Sequence, residues 1–305
     1  MNDISHAPSF GDDDSTIANS PTPRQAAYAR ARTHIGLLIG GGVLLTMVVM
    51  ALFAPLLAPH DPYVQDLANR LVDPFWGQKT NPANPFGTDG FGRDYLSRII
   101  YGARVSLFIG AVAMLISGFI GTTMGVLAGY FGGKIDHLVT FLITVRLSMP
   151  VVLVALAVVA MSGGSLGVVT VVLGLLLWDR FAVVMRSATQ QVRRLEFVTA
   201  AEAVGMAWPK ILWSEILPNL ANHLIVIGTL EMAHAIVLEA ALSFLGLGVQ
   251  PPTPSWGLMV SEAKSYMFFD PWLITIPGVM LFLLLLAINL LGDGVRDVTS
   301  PGEIW

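Results

Sequence analysis

Four ionisable side chains lie inside long apolar runs of this sequence: Arg146, Glu231, His234 and Glu239. A charge near the middle of a bilayer costs about 2.5–3.5 kcal/mol on insertion scales, so such groups turn to one another, to a bundle interior or to a water-filled path. Glu231 and His234 are one helical turn apart and share a face. One reading makes the four a polar translocation path for a solute. The plainer alternative is helix–helix contact, with Arg146 and Glu231 as the natural pair and Glu239, near the end of its run, the readiest contact. Other chemistry is excluded. Zero cysteines remove thiolate metal sites and thiol nucleophiles. The six histidines (His6, His34, His60, His137, His223, His234) have no metal-ligand spacing, so no metal site is expected. Ala128–Ile135, AGYFGGKI, superficially resembles a phosphate-binding loop, but Ala128 stands where its first Gly is needed and Ile135 where a Mg²⁺-reaching Ser or Thr is needed. The chain has no visible nucleotide site, and catalysis by it alone is not expected.

A second stretch is chemically unlike its surroundings. Thr199–Asn219, TAAEAVGMAWPKILWSEILPN, is an amphipathic, charge-bearing insert between apolar runs. A short helix carrying Phe197, Val198, Ala201 and Val204 runs to Gly205, a good C-terminal breaker. Pro209 suits the first turn of the next helix, on which Trp208, Leu212 and Ile216 align, and Pro218 closes the pattern. Such an insert faces either a protein partner or, as an amphipathic pair, the lipid headgroups.

The elements that must carry these residues follow from composition. Of 305 residues 54% are hydrophobic and 12% charged, against roughly 25% charged in soluble domains, and the mean hydropathy is +0.68. The apolar residues fall into runs of the roughly 20 residues that a helix needs to cross a bilayer. The expected class is an all-α polytopic membrane protein lying in a lipid bilayer. The net charge of −4 gives no case for nucleic acid. Residues 1–33 read as a disordered polar tail. Residues 34–102 hold a first transmembrane helix, Gly36–Ala58, ended by Pro55 and Pro59, and an outer loop. Residues 103–297 hold five further spans, at roughly 104–129, 136–160, 165–185, 223–246 and 272–292, with the insert in a loop at 186–222. Residues 298–305 are a second tail. Six spans put both termini on one side. Ten of the 17 Lys and Arg fall there and six on the other side, which favours cytoplasmic termini and a cytoplasmic insert. Ser117, Gly121, Gly125 and Gly129 form a small-residue stripe on the second span, read as a packing face. Trp256, after Pro251, Pro252 and Pro254, is read as an interfacial anchor.

The insert resembles the EAA loop of permease subunits of bacterial ABC importers, E-A-A-x3-G followed by I-L-P. Ala200, Ala201 and Gly205 match, as do Ile216, Leu217 and Pro218. Thr199 stands where the pattern has Glu, and Glu202 follows three positions later. Pro85–Leu107, Glu239–Met259 and Asn289–Asp297 are similar to blocks of the C-type permease subunit of the dipeptide/oligopeptide/nickel importer family. The resemblance implies a type I ABC importer permease (MetI-like) fold with six transmembrane helices, in a bacterial inner membrane. It implies a chain that forms half of a pore for di- or oligopeptides or a related small solute. The implied partners are a second homologous permease subunit, two cytoplasmic ATPase subunits that hold ATP and Mg²⁺, and an extracytoplasmic substrate-binding protein. No cofactor is expected on this chain. The alternative is a secondary transporter or channel subunit without ATPases, which would carry broken midplane helices.

Overall fold

The computed structural model describes residues 29–299; the tails expected at 1–33 and 298–305 lie mostly outside these. Helix α1, Ile35–Leu52, opens with His34, whose ring accepts from the Leu37 N–H. It stops at Phe53, and Pro55 sits in the single turn Ala54–Leu57 that follows. Helix α2 runs Tyr95–Phe131, 37 residues. At about 1.5 Å per residue this is some 55 Å, well beyond a ~30 Å hydrocarbon core. Its first turns therefore stand in the outer loop, where Asp94 caps them by accepting from Ser97 N. That polar beginning is why the apolar pattern places the start nine residues late.

The expected third span is broken. Helix α3, Gly133–Leu147, and helix α4, Val151–Ser162, meet at 81°. Pro150 is the cause, since a residue before proline is driven out of the helical region and proline cannot donate to the preceding turn. The fourth span, Leu166–Val192, is interrupted at Leu177 into α5, Leu166–Leu176, and α6, Trp178–Val192. Helix α7, Glu196–Ala203, belongs to the insert. Helix α8 is Leu217–Phe244, α9 is Trp256–Ala263 and α10 is Trp272–Thr299. Among the described residues five helices are long and apolar enough to cross a membrane, and six spans result if α3 and α4 count as one.

The small-residue stripe packs as its spacing predicts. A Cβ on Gly121, Gly125 or Gly129 would stand 2.3, 2.6 and 2.7 Å from the carbonyl oxygens of Trp178, Ala182 and Arg186, so α2 and α6 touch backbone to backbone. Helix α1 leans on α10, with Gly40 against the Ala287 carbonyl. At the same end His34 Nε2 and Asp297 Oδ2 are 3.1 Å apart. Both ends of the described chain therefore lie at one end of the bundle, the end that also carries the insert.

Candidate functional site

The insert is folded onto the end of α2. Leaving α6, Arg193 donates to the Tyr130 carbonyl and lies 5.0 Å over the Tyr130 ring. The Tyr130 hydroxyl donates to Glu202 at 3.1 Å, and Arg193 Nε is 4.0 Å from the same carboxylate. Val198, Ala201, Ile211, Ile216 and Leu220 share one apolar cluster with Met185 of α6 and Val126 of α2. Helix α7 closes by a Schellman motif: Met206 N–H reaches the Ala201 carbonyl and Gly205 N–H the Glu202 carbonyl, with Gly205 at φ +79°. Nothing stands within 4 Å of a Cβ built there, so glycine is needed for conformation and not for room.

The inward face of α7 is Val198 and Ala201; Thr199, Ala200, Glu202 and Val204 are exposed, Val204 at 87%. The apolar stripe expected from Phe197 to Val204 is thus divided between the two faces. Pro218 corrects the sequence reading. It does not close a helix but sits at the second position of α8, in a helical run from Trp208 to Phe244. The turn before it, Leu212–Ile216, is π-helical, with Leu217 N–H on the Leu212 carbonyl. The wider turn accommodates a proline that can neither donate nor tolerate the carbonyl four residues back.

The mid-membrane charges are arranged differently from the expected pairing. Arg146 does not meet Glu231. It donates from Nε at 2.9 Å, and from Nη2, to the Leu176 carbonyl, in the last turn of α5. Glu231, fully buried, accepts from Arg180 Nη1 at 3.2 Å, and His234 Nδ1 lies 3.4 Å from its other oxygen. This is an ionisable cluster at a helix break, because the interruption at Leu177 puts Asp179 and Arg180 at the start of α6. Arg180 is not among the intramembrane charges that the sequence singles out. The signal that marks it is position: it lies near the middle of a 27-residue span. Glu239 is buried too, accepting from Ser243 at 2.8 Å and Ser255 at 2.9 Å. Since Ser255 caps α9, this carboxylate joins α8 to the outer loop.

That outer end holds a second cluster that sequence reasoning missed. Asp89 Oδ2 accepts from Arg93 Nε at 2.7 Å and Arg98 Nη1 at 2.5 Å, and Glu262 accepts from Nη2 of both arginines, at 3.1 and 2.7 Å. Both arginines are buried. Burial pushes the Glu262 carboxyl up to about 7 against the pull of Arg93, and Asp89 adds to the rise. A cavity of about 310 Å³ opens beside the cluster. Trp256 is wholly buried and donates to the Ile99 carbonyl at 2.9 Å, so it is a core residue and not an interfacial anchor.

Residues 121–303 match the family model of the inner membrane component of binding-protein-dependent transport systems. The chain belongs to this family. Residues 22–74 match the N-terminal transmembrane domain of oligopeptide transport permease C. Among relatives of this inner membrane component, the dipeptide transport system permease DppC of Haemophilus influenzae is 38% identical over 92% of this chain and 95% of its own length. The glutathione transport system permease GsiD of Pectobacterium atrosepticum is 36% identical over 92% of this chain and 91% of its own. The inward-facing MetNI methionine ABC transporter contains a chain with TM-score 0.58 at 19% identity, covering 67% of this chain and 98% of that one. The fold is that of a type I ABC importer permease, in a multi-pass membrane protein.

Proposed function

We propose that this permease subunit forms half of the pore of an ATP-driven importer for di- or oligopeptides, and that it works with a second homologous permease, two ATPase subunits and a substrate-binding protein. Peptides follow from the dipeptide permeases among its relatives; glutathione, carried by others, is itself a small peptide. Both termini and the 186–222 loop lie on the cytoplasmic side, and the outer clasp around Glu262 lies opposite, where a binding protein delivers solute. The chain itself catalyses nothing.

The observation that carries this reading is the joint of insert and bundle. Thr199, Ala200, Ala201 and Glu202 lie on α7, which Gly205 ends, with one face on α2 and α6 and the other exposed. Beyond the Gly205 turn, Ile216, Leu217 and Pro218 belong to the helical run Trp208–Phe244 that passes into α8, and Ile216 packs in the same cluster as Ala201. A push on the free face is therefore delivered to the spanning helices. Arg146, Glu231 and His234, with Arg180, lie near the middle of those spans and line the path; Glu239 is its outermost polar group. A secondary transporter or channel is the second reading, favoured by the breaks at Leu177 and Pro150. Peptide uptake into vesicles holding the full assembly separates the two. ATP-dependent uptake is expected; uptake that follows an ion gradient without ATP would overturn the importer reading.

A further inference from the structure

We propose that Arg180 is the carboxylate-recognising residue of the path, gripping the free C-terminal carboxylate of a peptide as it passes the middle of the membrane. This assignment rests on the peptide-importer reading above.

Arg180 and Glu231 form an ion pair with one member hidden and one on show. The Glu231 side chain is 0% exposed and that of Arg180 is 54% exposed. Among the described residues Arg180 makes a single hydrogen bond, from Nη1 to Glu231 at 3.2 Å. Most of its five N–H donors are therefore open. Both residues lie near the middle of spanning helices, where open guanidinium donors are too costly to face hydrocarbon. The face that carries them must meet water or protein.

The partition of the pair fixes what that face offers to a solute. Glu231 cannot reach an incoming ammonium because it is buried behind the cation, and His234 occupies its second oxygen. The exposed charge is positive, planar and forked, and it matches a carboxylate with two parallel N–H···O bonds. Because Glu231 balances the charge, the arginine can stand in the membrane between passages.

The surroundings extend the site into a route. Val184, Ser187 and Gln191 follow Arg180 on α6 at spacings that keep one face. They line a cavity of about 300 Å³ together with His223 of α8. Ser187 is seven residues beyond Arg180, about 10 Å along the helix toward the insert. A solute released by Arg180 thus meets neutral polar groups, and next His223, on the way to the end that carries the coupling segment.

The test uses the complete importer in proteoliposomes, with saturating binding protein and two probes, dialanine and dialanine amide. Wild type should take up dialanine about ten-fold or more faster than the amide, the discrimination that a charged two-pronged contact supplies. Arg180→Gln should bring the ratio to near one, and Arg180→Lys should restore it only in part, since a point charge lacks the fork. If Arg180→Gln does not co-purify with the ATPases, the lysine variant reads the same ratio. An unchanged ratio in the assembled variants overturns the assignment, as does a wild-type ratio near one; neither touches the importer reading. A wild type that takes up neither peptide with ATP overturns the peptide reading, and the assignment with it.

Discussion

Arg146 places two guanidinium donors, Nε and Nη2, on one acceptor, the carbonyl of Leu176. That carbonyl ends α5, where no intrahelical partner remains, and the guanidinium supplies the partner it lacks. The cation also faces the negative end of the α5 dipole. Arg146 is thus the cap that makes a mid-span break tolerable. Arg146→Leu should leave the carbonyl unpaired at a cost of about 1–3 kcal/mol and lower the thermal midpoint of the purified assembly by several degrees. An unchanged midpoint would show that the break needs no cap.

The contact of α2 with α6 is set by glycine. A Cβ on Gly125 would lie 2.6 Å from the Ala182 carbonyl, an approach that only helix separation can relieve. Gly125→Val should reduce folded protein in the membrane several-fold. Gly42→Ala, where nothing stands within 4 Å, should leave the yield unchanged. Equal yields of the two variants would refute backbone contact at this site.

How much of this was legible beforehand depends on whether a residue's neighbours are close in the chain. The stripe of Gly121, Gly125 and Gly129, the Gly205 terminus and the sequence of spans are periodic or local signals, and they were readable. The partner of Arg146 is a backbone carbonyl, exposed by a break at Leu177 that no proline or glycine announces. Glu231 pairs with an arginine 51 positions away. The outer clasp joins Arg93 to a glutamate 169 positions on. Such pairings are set by tertiary packing. The bend at Pro150 was the exception: its cause stands in the sequence, within a run apolar enough to hide it.

Glu262 gives the outer clasp a pH dependence. Its carboxyl titrates near 7 in the folded chain, raised chiefly by burial, against about 4.3 when unfolded. The folded state then binds the proton more tightly, so this group's contribution to stability is full below about 4.3 and is lost as pH rises through 7. Thermal midpoints of the purified assembly at pH 5 and pH 8 should differ more in wild type than in Glu262→Gln. Identical differences would exclude Glu262 as the titrating group.

The two faces of α7 make opposite predictions for neighbouring alanines. Ala201 is buried in the cluster with Val198 and Ile216, so Ala201→Glu should unfold the insert itself, seen as rapid proteolysis near residue 200. Ala200 and Val204 are exposed, and a carboxylate at either position leaves the chain's own packing intact. Ala200→Glu and Val204→Glu should therefore keep the second permease subunit while co-purified ATPase falls about ten-fold, a loss near 1.4 kcal/mol of docking energy. Gly205→Ala belongs between the two classes. At φ +79° a side chain costs about 1–2 kcal/mol, which loosens the end of α7 without altering its exposed face. If Val204→Glu retains its full complement of ATPase, the exposed face of α7 is not where the ATPase docks, whatever the motif around it suggests.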